Sequence, residues 1–115
     1  MMKKNRYLIF FAVIFFLQII AVADDVITVD LHIKDHKFIP DILELPAGKK
    51  ICIIVHNDDP TIEEFESADL KREKIVLGNS AIKIILAPLV PGEYKFFGDF
   101  YQETAQGKIV ITEKE

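Results

Sequence analysis

The chain has 115 residues, half of them hydrophobic, and a formal net charge of −4. That length fits one small domain, and the acidic balance argues against nucleic acid or an anionic lipid surface as a partner. Cys52 is the only cysteine, so an internal disulfide is excluded and the fold must rest on its core.

Residues 1–23 read as a secretory signal peptide. Lys3, Lys4 and Arg6 form a basic start, Tyr7 to Ile20 is apolar apart from Gln18, and Ala21-Val22-Ala23 supplies the small residues of a cleavage site before Asp24. Cleavage after Ala23 leaves a domain over residues 24–115 that is secreted or periplasmic. Loss of the three basic residues takes its net charge to −7. The other reading is an uncleaved anchor. As a helix, Tyr7 to Ala23 would reach roughly 26 Å, a little short of a hydrocarbon core about 30 Å thick.

From Val26 the pattern changes to alternation. Ile27, Val29, Leu31 and Ile33 fall on one face and Thr28, Asp30, His32 and Lys34 on the other, which predicts a half-buried strand over Val26–Lys34. "DHKFIPD" turns at a proline. "ILELPAGKK" predicts a short strand ending in a Pro-Ala-Gly turn. Lys50–Asn57, "KICIIVHN", is apolar on both faces and predicts a central strand. "ESADLKREK", Glu66–Lys74, is the one helix-capable piece, with Ser67 as its cap. "KIVL", "AIKIILA", "GEYKFF" and "GKIVITEKE" then follow as strands, separated by "GNS" and "PLVPG". Seven or eight short strands and one short helical turn predict an all-β chain, a sandwich or small barrel. Its core is expected from Ile27, Val29, Leu31, Ile33, Ile51, Ile53, Val55, Phe65, Ile82, Ile84, Leu86, Tyr94 and Phe96.

No Ser/His/Asp order, phosphate loop or Cys-x-x-Cys pair is present, so nothing in the sequence supports hydrolase, kinase or thiol-redox chemistry, and no small-molecule substrate is evident. His32 on a polar strand face and His36 in a turn read as solvated histidines. His56 ends a central strand beside Asn57-Asp58-Asp59, and strand ends of sandwiches carry sites. Cys52, inside an apolar run, reads as an inert core thiol. The run "DDPTIEEFESAD" crowds Asp58, Asp59, Glu63, Glu64, Glu66 and Asp69 into twelve residues. Such a run is commonly a solvated loop. As a site it would suit a hard cation, because carboxylates match iron, manganese or calcium.

The phrases "DHKFIPDILELPAGKKI", "NDDPTIEEFESADLKREKIV", "PLVPGEYKFFGDF" and "ETAQGKIVI" together resemble a cupredoxin over residues 24–115. More narrowly, they resemble the cupredoxin-like domain of bacterial iron uptake, both in EfeO-type proteins and in the periplasmic partner of ferrous-iron permeases. The resemblance implies a Greek-key β-sandwich. It also implies a metal-handling role beside an iron permease or another periplasmic or membrane component; the alternative, motivated by the missing copper-ligand residue types, is a metal-free module that docks on such a partner.

The family's blue-copper pattern, laid on this chain, puts the first His at or beside Glu63, the loop Cys at Gly98, the loop His at Tyr101 and the Met near Thr104 or Ala105. None of those ligand types is present, which argues against a blue-copper electron carrier. The iron-linked relatives often carry a His where this chain has Tyr101. What the resemblance leaves at that end is oxygen-rich: Glu63, Glu66, Asp99, Tyr101 and Glu103, suited to iron or another hard divalent cation. If Glu63–Glu66 is extended, alternation sets Glu64 and Glu66 on the face opposite Glu63 and Phe65.

Overall fold

The computed structural model describes residues 26–113; the expected signal peptide lies outside them. Nine strands follow in order: β1 (Val26–Lys34), β2 (Lys37–Ile39), β3 (Ile42–Pro46), β4 (Lys50–Asn57), β5 (Glu63–Ser67), β6 (Arg72–Val76), β7 (Ser80–Leu86), β8 (Gly92–Gly98) and β9 (Gln106–Thr112). A single 3₁₀ turn, Asp99–Tyr101, joins β8 to β9. No helix among the described residues is long and apolar enough to cross a membrane.

The strands form two sheets packed face to face. One has the order β2-β1-β4-β7, the other β3-β9-β8-β5-β6. Most pairings are antiparallel, but β1 runs parallel to β4 and β3 parallel to β9. Neighbours that are not consecutive in the chain are what a Greek-key sandwich produces. Alternation along β1 and β4 sends Leu31, Ile33, Ile51, Ile53 and Val55 into the space between the sheets, where they meet Phe65, Phe96, Ile109 and Ile111. Phe38, Phe65 and Phe96 form the aromatic centre: Phe65 and Phe96 stack at 5.2 Å, and Phe38 meets both edge-on.

The thirteen expected core residues all lie in this cluster or against it; Ile27, Val29, Ile82 and Tyr94 are partly buried at its margin. β6 of one sheet lies beside β7 of the other, and its side chains bridge the gap. Arg72 Nη2 donates to the Ile85 carbonyl at 3.0 Å and Lys74 Nζ to that of Lys83 at 3.2 Å.

One expected element is corrected. Glu66–Lys74 is not helical: Glu66 and Ser67 end β5, a turn follows, and Arg72 begins β6. Ser67 caps this turn instead of a helix. Its Oγ accepts from the Leu70 amide at 3.0 Å and donates to the Lys95 carbonyl. The turn closes with Lys71 at φ 57, and the charged residues beyond it pair with β5, where a two-turn helix could not have stood alone.

Candidate metal centre

Local folding around the acidic run begins at Asn57, the buried end of β4. Its Nδ2 donates to the Thr61 carbonyl at 2.7 Å and to the Val76 carbonyl at 3.3 Å, while its Oδ1 accepts from the Asp59 amide. This pins the loop that delivers the chain into β5. Asp59 turns inward and is only 5% exposed. Its two oxygens accept from the amides of Asp35 (2.9 Å) and His36 (3.0 Å), both held at positive φ in the β1–β2 turn. Burial alone would raise the Asp59 carboxyl. The two amides, with the charges of His36 and Lys34, outweigh it and hold the group below its ordinary value.

β5 then alternates as an extended segment must. Glu63, Phe65 and Ser67 point inward and Glu64 and Glu66 outward. Glu63 is 1% exposed. Its Oε1 accepts from the Glu64 amide at 2.9 Å and the Phe100 amide at 2.8 Å. Its Oε2 is, among the described residues, the one buried side-chain polar atom with no hydrogen-bond partner. The reason is visible in the register. Phe65 lies opposite Gly98, so Glu63 falls just beyond the end of β8, under the 3₁₀ turn. Oε2 takes the space that a β-carbon on Gly98 would need, and such a carbon would also come within 2.8 Å of the Ala105 β-carbon.

On the outer face of the same sheet, ligand atoms of Glu64, Glu66 and Asp99 lie within 4.8 Å of one another, all three half-buried. Glu73, cross-strand from Glu66, is the fourth carboxylate. Desolvation is the largest cause that pushes Glu64 up to about 7; the Glu73 charge, a hydrogen bond to Glu73, and the charges of Asp99 and Glu66 add to it. Glu66 is raised as well, by desolvation first and then by Asp99 and Glu73. Crowded carboxylates without a cation hold their protons; a cation would displace them.

Asp99 also belongs to a second feature. With His36, Phe100, Tyr101, Gln102, Glu103 and Thr104 it lines an open hollow at this end of the sandwich. The His36 and Tyr101 rings stack with centroids 3.6 Å apart, and Thr104 Oγ1 donates to the His36 carbonyl at 2.6 Å.

The five residues expected from the sequence are thus divided among three places. Glu63 faces inward. Glu66 and Asp99 meet on the outer face, joined by Glu64. Tyr101 and Glu103 line the hollow, which Asp99 alone shares with the outer cluster. Two neighbours are not visible in the sequence: His36 beside Tyr101, and Glu73 beside Glu64. The first pair spans 65 positions of chain, and the second depends on the register of the β5–β6 hairpin.

A two-sheet Greek-key sandwich whose inter-strand loops gather potential ligands at one end is the architecture of the cupredoxins. The chain belongs to the cupredoxin-like domain family, whose model matches residues 7–111. It is 49% identical to uncharacterized protein RP394 of Rickettsia prowazekii (strain Madrid E), over 96% of this chain and 97% of that one. Among solved structures it is similar to auracyanin A, a blue copper protein of Chloroflexus aurantiacus. There the TM-score is 0.66 at 15% identity, covering 76% of this chain and 99% of that one. It is also similar to the metal-binding domain of the Cu(I)-exporting P-type ATPase CopA of Streptococcus pneumoniae D39, with a TM-score of 0.65 at 13% identity over 79% and 99%. A purple cupredoxin of Nitrosopumilus maritimus gives 0.57 at 16% over 73% and 99%. At these identities the structural likeness shows the fold.

Blue copper does not fit the residues present. The one cysteine, Cys52, is not the core thiol expected from its apolar run: on β4, where Ile51 and Ile53 take the inward positions, its side chain is half-buried on the outer face of the other sheet. Where a thiolate would project from position 98, the Glu63 carboxylate already fills the space. Carboxylate and phenol oxygens do not replace the soft ligand set that such copper requires.

Proposed function

We propose that this chain is an exported metal-handling accessory of iron uptake, which holds a hard divalent or trivalent cation through carboxylates. The observation that carries the reading is the Glu64–Glu66–Asp99 cluster: three oxygen donors in reach of one ion, with the Glu64 and Glu66 carboxyls raised by desolvation first and by their like-charged neighbours second. Iron in particular is supported by the likeness of the four quoted phrases to the iron-uptake branch of the family. The partner in this reading is an iron permease or a neighbouring periplasmic or membrane component. Asp99 joins the cluster to the hollow lined by Tyr101 and Glu103, giving an ion a continuous oxygen-rich surface to cross.

Calorimetric titration with ferrous iron, manganese, calcium and copper tests this. Iron or manganese binding that is lost in Glu64→Gln/Glu66→Gln supports it. No binding tighter than millimolar to any of the four sinks it.

A second reading follows from Glu63. Its carboxylate closes the position from which the fold's copper would be held, as expected of a sandwich kept for docking on a partner with its metal site retired. Under that reading the Glu64→Gln/Glu66→Gln variant supports uptake in cells as well as the parent does.

A further inference from the structure

The outer face of the β2-β1-β4-β7 sheet carries a pair of histidines that the carboxylate reading does not use. His32 and His56 are directly opposed in the parallel β1–β4 pairing. Their rings stack with centroids 4.5 Å apart and planes 13° from parallel. Each ring is bound to a carboxylate of the neighbouring strand or its extension, and the two bonds run in opposite directions. His32 Nδ1 meets Asp58 Oδ2 at 2.7 Å, one step ahead; His56 Nε2 meets Asp30 Oδ1 at 2.8 Å, one step behind.

We propose that His32 and His56 form a binding site for a borderline divalent transition ion, such as zinc, with Asp58 and Asp30 as the groups that orient the two imidazoles. A neutral imidazole whose one N–H is given to a carboxylate keeps a lone pair on the other nitrogen, and this is how metal-ligating histidines are usually held. Here the carboxylates leave His32 Nε2 and His56 Nδ1 as the ligand atoms. Both rings sit on strands fixed by a continuous ladder, and their side chains are 44% and 32% exposed, open to an ion from solvent. Each lone pair lies in its own ring plane and the planes are nearly parallel, so one ring turns about χ2 to share the ion. Asp30 and Asp58, 63% and 46% exposed, have room to follow their imidazoles as the ring turns. Imidazole nitrogen selects zinc, copper or nickel over the hard ions that the carboxylate cluster suits. The two sites therefore differ in residues, face and metal class, and this inference stands or falls apart from the proposed function.

The test titrates zinc into the full-length chain at neutral pH and follows the imidazole proton–nitrogen correlations. The His32 and His56 signals are expected to move together to saturation while His36 stays in place. His32→Ala or His56→Ala then weakens zinc binding about tenfold or more, and Asp58→Asn, which leaves both imidazoles present, weakens it on the order of tenfold. Glu64→Gln/Glu66→Gln leaves zinc binding unchanged. The proposal is overturned if zinc leaves the His32 and His56 signals unmoved, or shifts only His36. It is equally overturned if either alanine variant, folded by its amide spectrum, binds zinc as tightly as the parent.

Discussion

Glu63 and Gly98 share one volume: the Oε2 atom of the first stands where the β-carbon of the second would be. A methyl there would also meet the Ala105 β-carbon, and the buried Glu63 carboxylate could move aside only by disturbing its bonds to the Glu64 and Phe100 amides. Gly98→Ala is therefore expected to cost about 1–3 kcal/mol as overpacking. In chemical denaturation, Glu63→Ala/Gly98→Ala should lose less than the sum of its single variants, because the added methyl then enters vacated space. Strict additivity would show that the two positions do not compete.

Glu63 also fastens the 3₁₀ turn to β5 through the Phe100 amide. Glu63→Gln keeps an acceptor oxygen for that amide and Glu63→Ala does not. The alanine variant is expected to lose about 1–3 kcal/mol through unsatisfied buried donors, with faster hydrogen exchange at Phe100. The glutamine variant should retain most of the protection. Equal exchange at Phe100 in parent and alanine variant would remove Glu63 from this role.

Glu64 sets a pH dependence. Its carboxyl titrates near 7 in the folded chain against 4.5 for the ordinary group. Between those values the folded chain holds a proton that the unfolded chain has released, so folding takes up protons and stability falls as pH rises through the window. The raised Glu66 carboxyl acts in the same direction. Denaturation midpoints should decline from about pH 4.5 to about pH 7, and Glu64→Gln should flatten the decline. A cation bound at the cluster should restore stability at the upper end. A midpoint that rises across the window in the parent would contradict the raised Glu64 and Glu66 carboxyls.

Asp59 predicts the opposite slope in more acid solution. Its carboxyl is held below its ordinary value, so its contribution is complete above the ordinary carboxylate range and is lost as pH falls through the depressed value. Asp59→Ala strands the Asp35 and His36 amides, both in left-handed backbone, and is expected to cost about 1–3 kcal/mol. The same variant should loosen the His36–Tyr101 stack, which nitrogen relaxation of the 35–38 turn would report.

Most of the sandwich was legible because its inward positions are apolar at period two. β1, β4 and β7 announce themselves in this way, and their residues sit where alternation sets them. β5 does not. Its inward residues are Glu63, Phe65 and Ser67, so a polar side chain stands at two of the three core positions and the sequence shows only an acidic run. That one lapse hid the hairpin with β6, turned Glu66–Lys74 into an apparent helix and left Glu73 out of the cluster it joins. β2, three residues long, carries a single buried side chain, Phe38, too little for any period to show. At the site, residue types were readable and their grouping was not. Which carboxylates meet is decided by the face of β5 and the start of the 3₁₀ turn, and His36 reaches Tyr101 only because the β1–β2 turn packs against the β8–β9 loop.

The bridges from Arg72 and Lys74 to β7 have a consequence for the molecule in company. An unpaired strand margin is a template on which a foreign chain can add itself, and sandwiches that leave one open are prone to assemble into fibres. Here the Lys83 and Ile85 carbonyls are already engaged by long cationic side chains from the facing sheet. The opposite margin of that sheet is the three-residue β2, too short to guide an incomer. Whatever this protein binds, its β2-β1-β4-β7 sheet is therefore equipped to decline a partner that would extend it along β7.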